Sequence, residues 1–166
     1  MTGSSIVITI ERVPWEDPRA VALRARMDEE MHERYASATV DEDPAVTAER
    51  NRALSVDPAT VVSSVLAVDE DGEAIGHIAI RRLGDETELK RLIVLASARG
   101  KGAATALLDE CEQIGRELGA DRLILQTGDR QPDAVALYEK TGWNPIPVYE
   151  PYIATLPWSF CFEKAL

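Results

Sequence analysis

Residues 94–112 read VLASARGKGAATALLDECE, an apolar run that passes through Arg99, Gly100, Lys101 and Gly102 into a segment of helical period. From Lys101 onward Ala104, Leu107, Leu108, Cys111, Ile114 and Leu118 recur along one stripe of an amphipathic helix, and Gly119 is its stop signal. A strand that feeds a glycine turn and then a helix makes an anion site, because the N–H groups of the first helical turn have no partner within the helix. Gly100 and Gly102 let phosphate oxygens approach without a Cβ in the way. Arg99 and Lys101 place positive charge there, in a chain whose net charge is -11. A phosphorylated ligand is the expected occupant.

Upstream, SIVITIERV (residues 5–13) is a β-branched run that reads as a first strand. Asp17-Pro18 then has the form of an N-cap followed by proline at the first helical position, and Leu23, Met27, Met31 and Tyr35 continue at helical spacing. Asp43-Pro44 repeats that start signal for a shorter helix, which Asp57-Pro58 interrupts. Two β-rich runs flank Asp71-Gly72, a hairpin signal, and GDETELKRLIVL (84–95) supplies a third antiparallel strand. Downstream of the glycine turn, DRLILQT (121–127) reads as a buried strand. QPDAVALYEKTGW (131–143) is a helix between Pro132 and Gly142, WNPIPVYEPY (143–152) a proline-broken strand or loop, and WSFCFEKAL (158–166) a last strand. The order is mixed α/β, and 166 residues suit one domain, 1–166.

Composition narrows the function classes. With 18 Lys and Arg against 29 Asp and Glu, the chain lacks the basic face that a nucleic-acid backbone requires. No stretch approaches the roughly 18 apolar residues of a membrane span, and no basic leader precedes an apolar run. Cys111 and Cys161 have neither metal-ligand nor redox spacing and lie in apolar stretches, so they read as buried free thiols in a reducing cytoplasm. No metal site is expected.

The identity of the phosphate ligand follows in part from what the loop lacks. A nucleotide-hydrolase loop needs Ser or Thr after its lysine, but Gly102 follows Lys101. A dinucleotide fingerprint needs a third glycine where Thr105 stands and an acid at the end of the next strand, where LILQTG has none. What remains, R-G-K-G-A-A over Arg99–Ala104, resembles the Q/R-x-x-G-x-G/A signature of the GCN5-related N-acetyltransferase (GNAT) superfamily. AVALYEKTGW is similar to that family's A-x-x-L-Y-x-x-x-G-[FW] segment at Ala134, Leu137, Tyr138, Gly142 and Trp143. ELKRLIVL resembles its fourth strand, and the element order is the family order over nearly the whole chain. Gln131 stands where many members have Asn, and the C-terminal segment IPVYEPYIATLPWSFCFEKAL resembles a subgroup of small bacterial acetyltransferases.

The resemblance implies a fold: a mostly antiparallel sheet of about seven strands, splayed between the fourth and fifth, flanked by about four helices. It implies acetyl-CoA as cosubstrate, held by the backbone of Leu92, Ile93 and Val94, by the loop Arg99, Gly100, Lys101 and Gly102, by the helix start Ala103, Ala104 and Thr105, and by Gln131 and Tyr138. It implies Tyr138 as the acid that protonates the departing sulfur and Glu88 as general base, the latter against the alternative of a solvated carboxylate at a strand start. The first two helices and the C-terminal loop would recognise an amine acceptor, small molecule or protein, with Met31, Tyr35, Tyr149 and Tyr152 as candidates. Of the two histidines, His32 adjoins that region and is the better candidate for a base, whereas His77 in the hairpin reads as structural or exposed. No Ser-His or Cys-His constellation argues for a covalent acyl-enzyme, so direct transfer is expected. A non-catalytic acyl-CoA-binding or interaction module on the same fold is the other reading, and homodimers are compatible with either.

Overall fold

The computed structural model describes residues 7–166. Strand β1 (Thr9–Val13) leads into helices α1 (Pro18–Thr39) and α2 (Pro44–Leu54). Three strands follow, β2 (Val61–Val68), β3 (Ala74–Leu83) and β4 (Glu86–Val94), then helix α3 (Ala103–Glu117) and strand β5 (Arg122–Thr127). Helix α4 (Pro132–Lys140), the short strand β6 (Asn144–Ile146) and β7 (Phe160–Ala165) close the chain. Residues 5 and 6 of the expected first strand lie outside the described residues, and the strand itself begins at Thr9.

The seven strands form one sheet in the order β1-β2-β3-β4-β5-β7-β6. Only β4 and β5 run parallel; every other neighbouring pair is antiparallel. This is the sheet of the GNAT fold. Its two faces are legible in β2, where Val65 and Ala67 pack with α3 and α4 residues while Leu66 and Val68 pack with Ala20 and Leu23 of α1. Period-2 alternation with both sets apolar is what a strand covered on both faces requires. A third cluster, Ala53, Tyr152 and Leu156, joins α2 to the loop between β6 and β7. The proline-broken segment is therefore a three-residue strand followed by a packed loop.

Local chemistry sets the element ends. Asp17, Asp43 and Asp57 each accept a hydrogen bond from the N–H two residues on, and a proline follows each in the chain. The third of these starts no α-helix but a 3-10 turn, Pro58–Thr60, that enters β2. At the hairpin, Asp69 Oδ1 accepts from the N–H groups of Asp71 and Glu73, and Gly72 takes φ +81, which a residue with a Cβ adopts reluctantly.

Candidate active site

Helices α3 and α4 differ from the others at their starts. The N-cap of α3 is Gly102 and that of α4 is Gln131, and neither supplies a side-chain acceptor to its first turn. The leading N–H groups of α3 thus have no side-chain partner from the cap residue. Gly100 and Gly102 have φ +79 and +85, and a Cβ on either would meet nothing within 4 Å. Backbone conformation, more than crowding, is why glycine stands at both. Lys101 is exposed, and Arg99 is anchored by its Nε to the Val94 carbonyl at 3.2 Å and by its guanidinium to Glu30 of α1 at 3.5 Å.

Strands β4 and β5 touch in register only at Glu88↔Ile124 and Leu89↔Leu125. Beyond Leu89 they part. On its other edge β4 pairs with β3, but the register shifts between His77 and Ala79, opposite Arg91. Arg91 takes φ 62, which only strong local anchoring sustains in a residue with a long side chain. That anchor is His77, whose Nδ1 lies 2.9 Å from the Arg91 carbonyl. Its Nε2 lies 3.1 Å from an Arg24 guanidinium nitrogen, which can only donate, so Nε2 accepts and Nδ1 carries the proton. Burial lowers the His77 imidazolium to about 4 and keeps the ring neutral, although the Arg91 carbonyl opposes that shift. Arg24 also stacks over Trp15, 3.5 Å from the ring centroid. His77 is therefore structural, and fully buried.

The parted strands and helices α1, α2 and α4 line a cavity of about 550 Å³ that opens to solvent. Leu92, Gln131 and Tyr138 are on its wall, as are Met31, His32 and Tyr35 from α1. The Tyr35 hydroxyl accepts the Arg130 N–H at 3.1 Å, and a Cβ on Gly128 would come within 2.0 Å of that oxygen. Glycine at 128 is what lets α1 close against the β5–α4 loop. Tyr138 packs edge-on to Trp143 and tilted on Phe162, and burial pushes its phenol up, so it stays protonated.

Glu88 differs from a solvated carboxylate. It is fully buried, paired through Oε1 with Arg81 Nε at 2.8 Å, while Oε2 accepts from Tyr149 Oη at 2.5 Å and Tyr152 Oη at 2.9 Å. Burial first, and the Glu88 charge second, push both phenols up. Tyr149 and Tyr152 are thus spent on Glu88, and neither they nor Glu88 are on the cavity wall. The glycine loop, residues 99–105, also lies off that wall. Ile93 packs under α1, and Val94 pairs with Gly76. Cavity residues absent from the sequence reading include Lys90, Arg91, Arg50 and Asn51. Strand alternation from Glu88 is the signal that could have found Lys90, since residues two apart share a face.

Among the described residues no group of three or more His, Cys, Asp or Glu could hold a metal ion, and no helix is long and apolar enough to cross a membrane. Cys111 and Cys161 are buried and unpaired, and burial pushes both thiols up.

The family model for the acetyltransferase (GNAT) family matches residues 15–143, and the chain belongs to that family. An IAA acetyltransferase of Azospirillum brasilense is 37% identical over 91 residues, 55% of this chain and 59% of that protein. The chain spans 59% or less of the length of this and two further curated relatives. A crystal structure from Klebsiella pneumoniae, described as an acyl-CoA N-acyltransferase, superposes with a TM-score of 0.75 at 27% identity, covering 96% of this chain and 98% of that one. A streptothricin acetyltransferase of Bacillus anthracis, solved with acetyl coenzyme A, has a TM-score of 0.56 at 16% identity over 70% of this chain and 68% of that one. At that identity the likeness speaks for the fold alone.

Proposed function

We propose that this protein is an acetyl-CoA-dependent N-acetyltransferase that transfers an acetyl group directly to the amine of a small molecule or protein. One observation carries the reading: an α3 start without a side-chain cap, behind two left-handed glycines, follows directly on a β4 edge that β5 has released. The first turn, Ala103–Thr105, would take the diphosphate with Arg99 and Lys101 beside it, and the free backbone near Leu92–Val94 would pair with the pantetheine arm. Acetyl-CoA, when bound, supplies an acyl carbon activated as a thioester.

The chain's own groups supply the rest. A backbone N–H near the Arg91 distortion would polarise the acyl oxygen, and His77 holds that distortion in place. Tyr138, protonated and on the cavity wall, would donate to the departing sulfur. Gln131, on the same wall, has the amide chemistry to hold the arm. Met31 and Tyr35 would meet the acceptor, whereas Tyr149 and Tyr152 would serve it indirectly by fixing Glu88. The cysteines, inert through burial, support direct transfer over an acyl-enzyme. Cytoplasmic operation suits such thiols.

The test is thiol release from acetyl-CoA across a panel of primary amines. Amine-dependent release with matching acetylated product is expected. Saturable coenzyme binding without release would instead identify a binding module, and no binding would remove both.

A further inference from the structure

Glu88, the base that the family resemblance implies, is not on the cavity wall, where His32 is exposed and Asp28 is paired with Arg91. The Glu88 carboxylate is fully enclosed, its Oε1 given to Arg81 and its Oε2 to two tyrosine hydroxyls. The residue two positions along the same strand is different. Lys90 is on the wall yet only 7% exposed, and its Nζ lies 2.8 Å from Tyr152 Oη. Because the Tyr152 proton goes to Glu88, Tyr152 accepts from Lys90, and one Nζ–H is thereby fixed. Among the described residues Lys90 forms no ion pair, since Glu88 is matched by Arg81. A protonated Lys90 would give this enclosed cluster one positive charge in excess. A neutral Lys90 keeps its hydrogen bond to Tyr152 and holds a lone pair that the network does not use.

We propose that Lys90 is the catalytic base of this site, its Nζ taking the proton that the acceptor amine loses, with Tyr152 and Glu88 as the positioning residues that hold it. The inference rests on the acetyltransferase reading above. As the amine nitrogen bonds to the acyl carbon and the carbon–sulfur bond breaks, one proton passes from nitrogen to Lys90 and one from Tyr138 to sulfur. The Lys90 proton then returns to Tyr138 through cavity solvent as product leaves, so nothing is consumed beyond thioester and amine.

The groups facing Lys90 agree with this role. Glu88 and Arg91 flank it on β4, Arg81 lies on β3, Tyr152 in the loop and Cys161 on β7, while Asp28, His32 and Arg50 stand elsewhere on the cavity wall. Arg91 is paired with Asp28, and Arg50 with Glu42 at 2.6 Å. Burial is the largest influence on Lys90, and the arginines add to it against Glu88, which brings its ammonium down to about 8. A base with that value is neutral in a useful fraction near neutral pH.

Lys90→Met and Lys90→Arg test the role, using whichever amine the wild-type protein acetylates. The expected result is a loss of about 100-fold or more in kcat for both variants, with acetyl-CoA affinity unchanged by thermal shift. In lysine-labelled wild-type protein, the Nζ-adjacent carbon resonance lost in Lys90→Met should titrate near pH 8. Retention of kcat within about threefold, loss of coenzyme affinity, or a Lys90 resonance that stays charged well above pH 8 would each overturn the proposal while the acetyltransferase reading stands. A wild-type protein that acetylates no amine would remove both.

Discussion

His77 Nδ1 donates to the carbonyl of Arg91 at 2.9 Å, so a buried neutral imidazole on β3 holds the one described non-glycine residue with positive φ on β4. That contact ties the fold to the site. The distortion it fixes lies just past Leu89, where β4 and β5 separate to open the cavity.

Stability should fall in mild acid because of this histidine. Its folded value, about 4, lies below the unfolded value of about 6.5. The unfolded chain therefore binds the proton first, and the contribution is complete above pH 6.5 and lost as pH falls toward 4. The size is on the order of 3 kcal/mol. Denaturant titrations of wild type and His77→Gln between pH 7 and 4 should converge as pH falls.

Removing the partner of Glu88 should be severe. Arg81→Met leaves an enclosed carboxylate without its ion pair, at a cost of about 3–5 kcal/mol. Arg81→Met combined with Glu88→Leu should cost less than the sum of the two single changes, measured by the same titrations.

Tyr138→Phe keeps the ring packing against Trp143 and Phe162 while removing the hydroxyl proposed as proton donor. Turnover should drop by about 100-fold with acetyl-CoA affinity nearly unchanged. Wild-type turnover in the variant would displace the acid role.

Gly102→Ala should cost about 1 kcal/mol from backbone strain, since φ is +85 and no atom lies within 4 Å of the added Cβ. Gly102→Asn should cost less, because asparagine tolerates the left-handed region. Thermal denaturation separates the two variants.

Much of this was legible in the chain. Asp-Pro pairs at 17, 43 and 57 announce their turns because capping is local, needing only an oxygen two residues from an N–H. The glycines at 100 and 102 mark their loop for the same reason. The surroundings of Glu88 were not legible, since they depend on Tyr149 and Tyr152 arriving from a loop more than sixty residues away, and proline-rich loop sequence does not encode where it docks. The pairing of Glu88 with Arg81 depends on hairpin register, Arg81 opposite Glu88, which the turn between Leu83 and Glu86 sets. Gly128 gave no periodic signal because its requirement is a single hydroxyl, that of Tyr35, reaching its loop from α1.

Calorimetric titration with acetyl-CoA tests the central claim most directly. Wild-type protein should bind one equivalent saturably, and Gly102→Val, which forces a β-branched residue into the left-handed turn at the head of α3, should weaken that binding by tenfold or more, about 1.4 kcal/mol. Equal affinity in both proteins, or no heat from the wild type, would contradict the account.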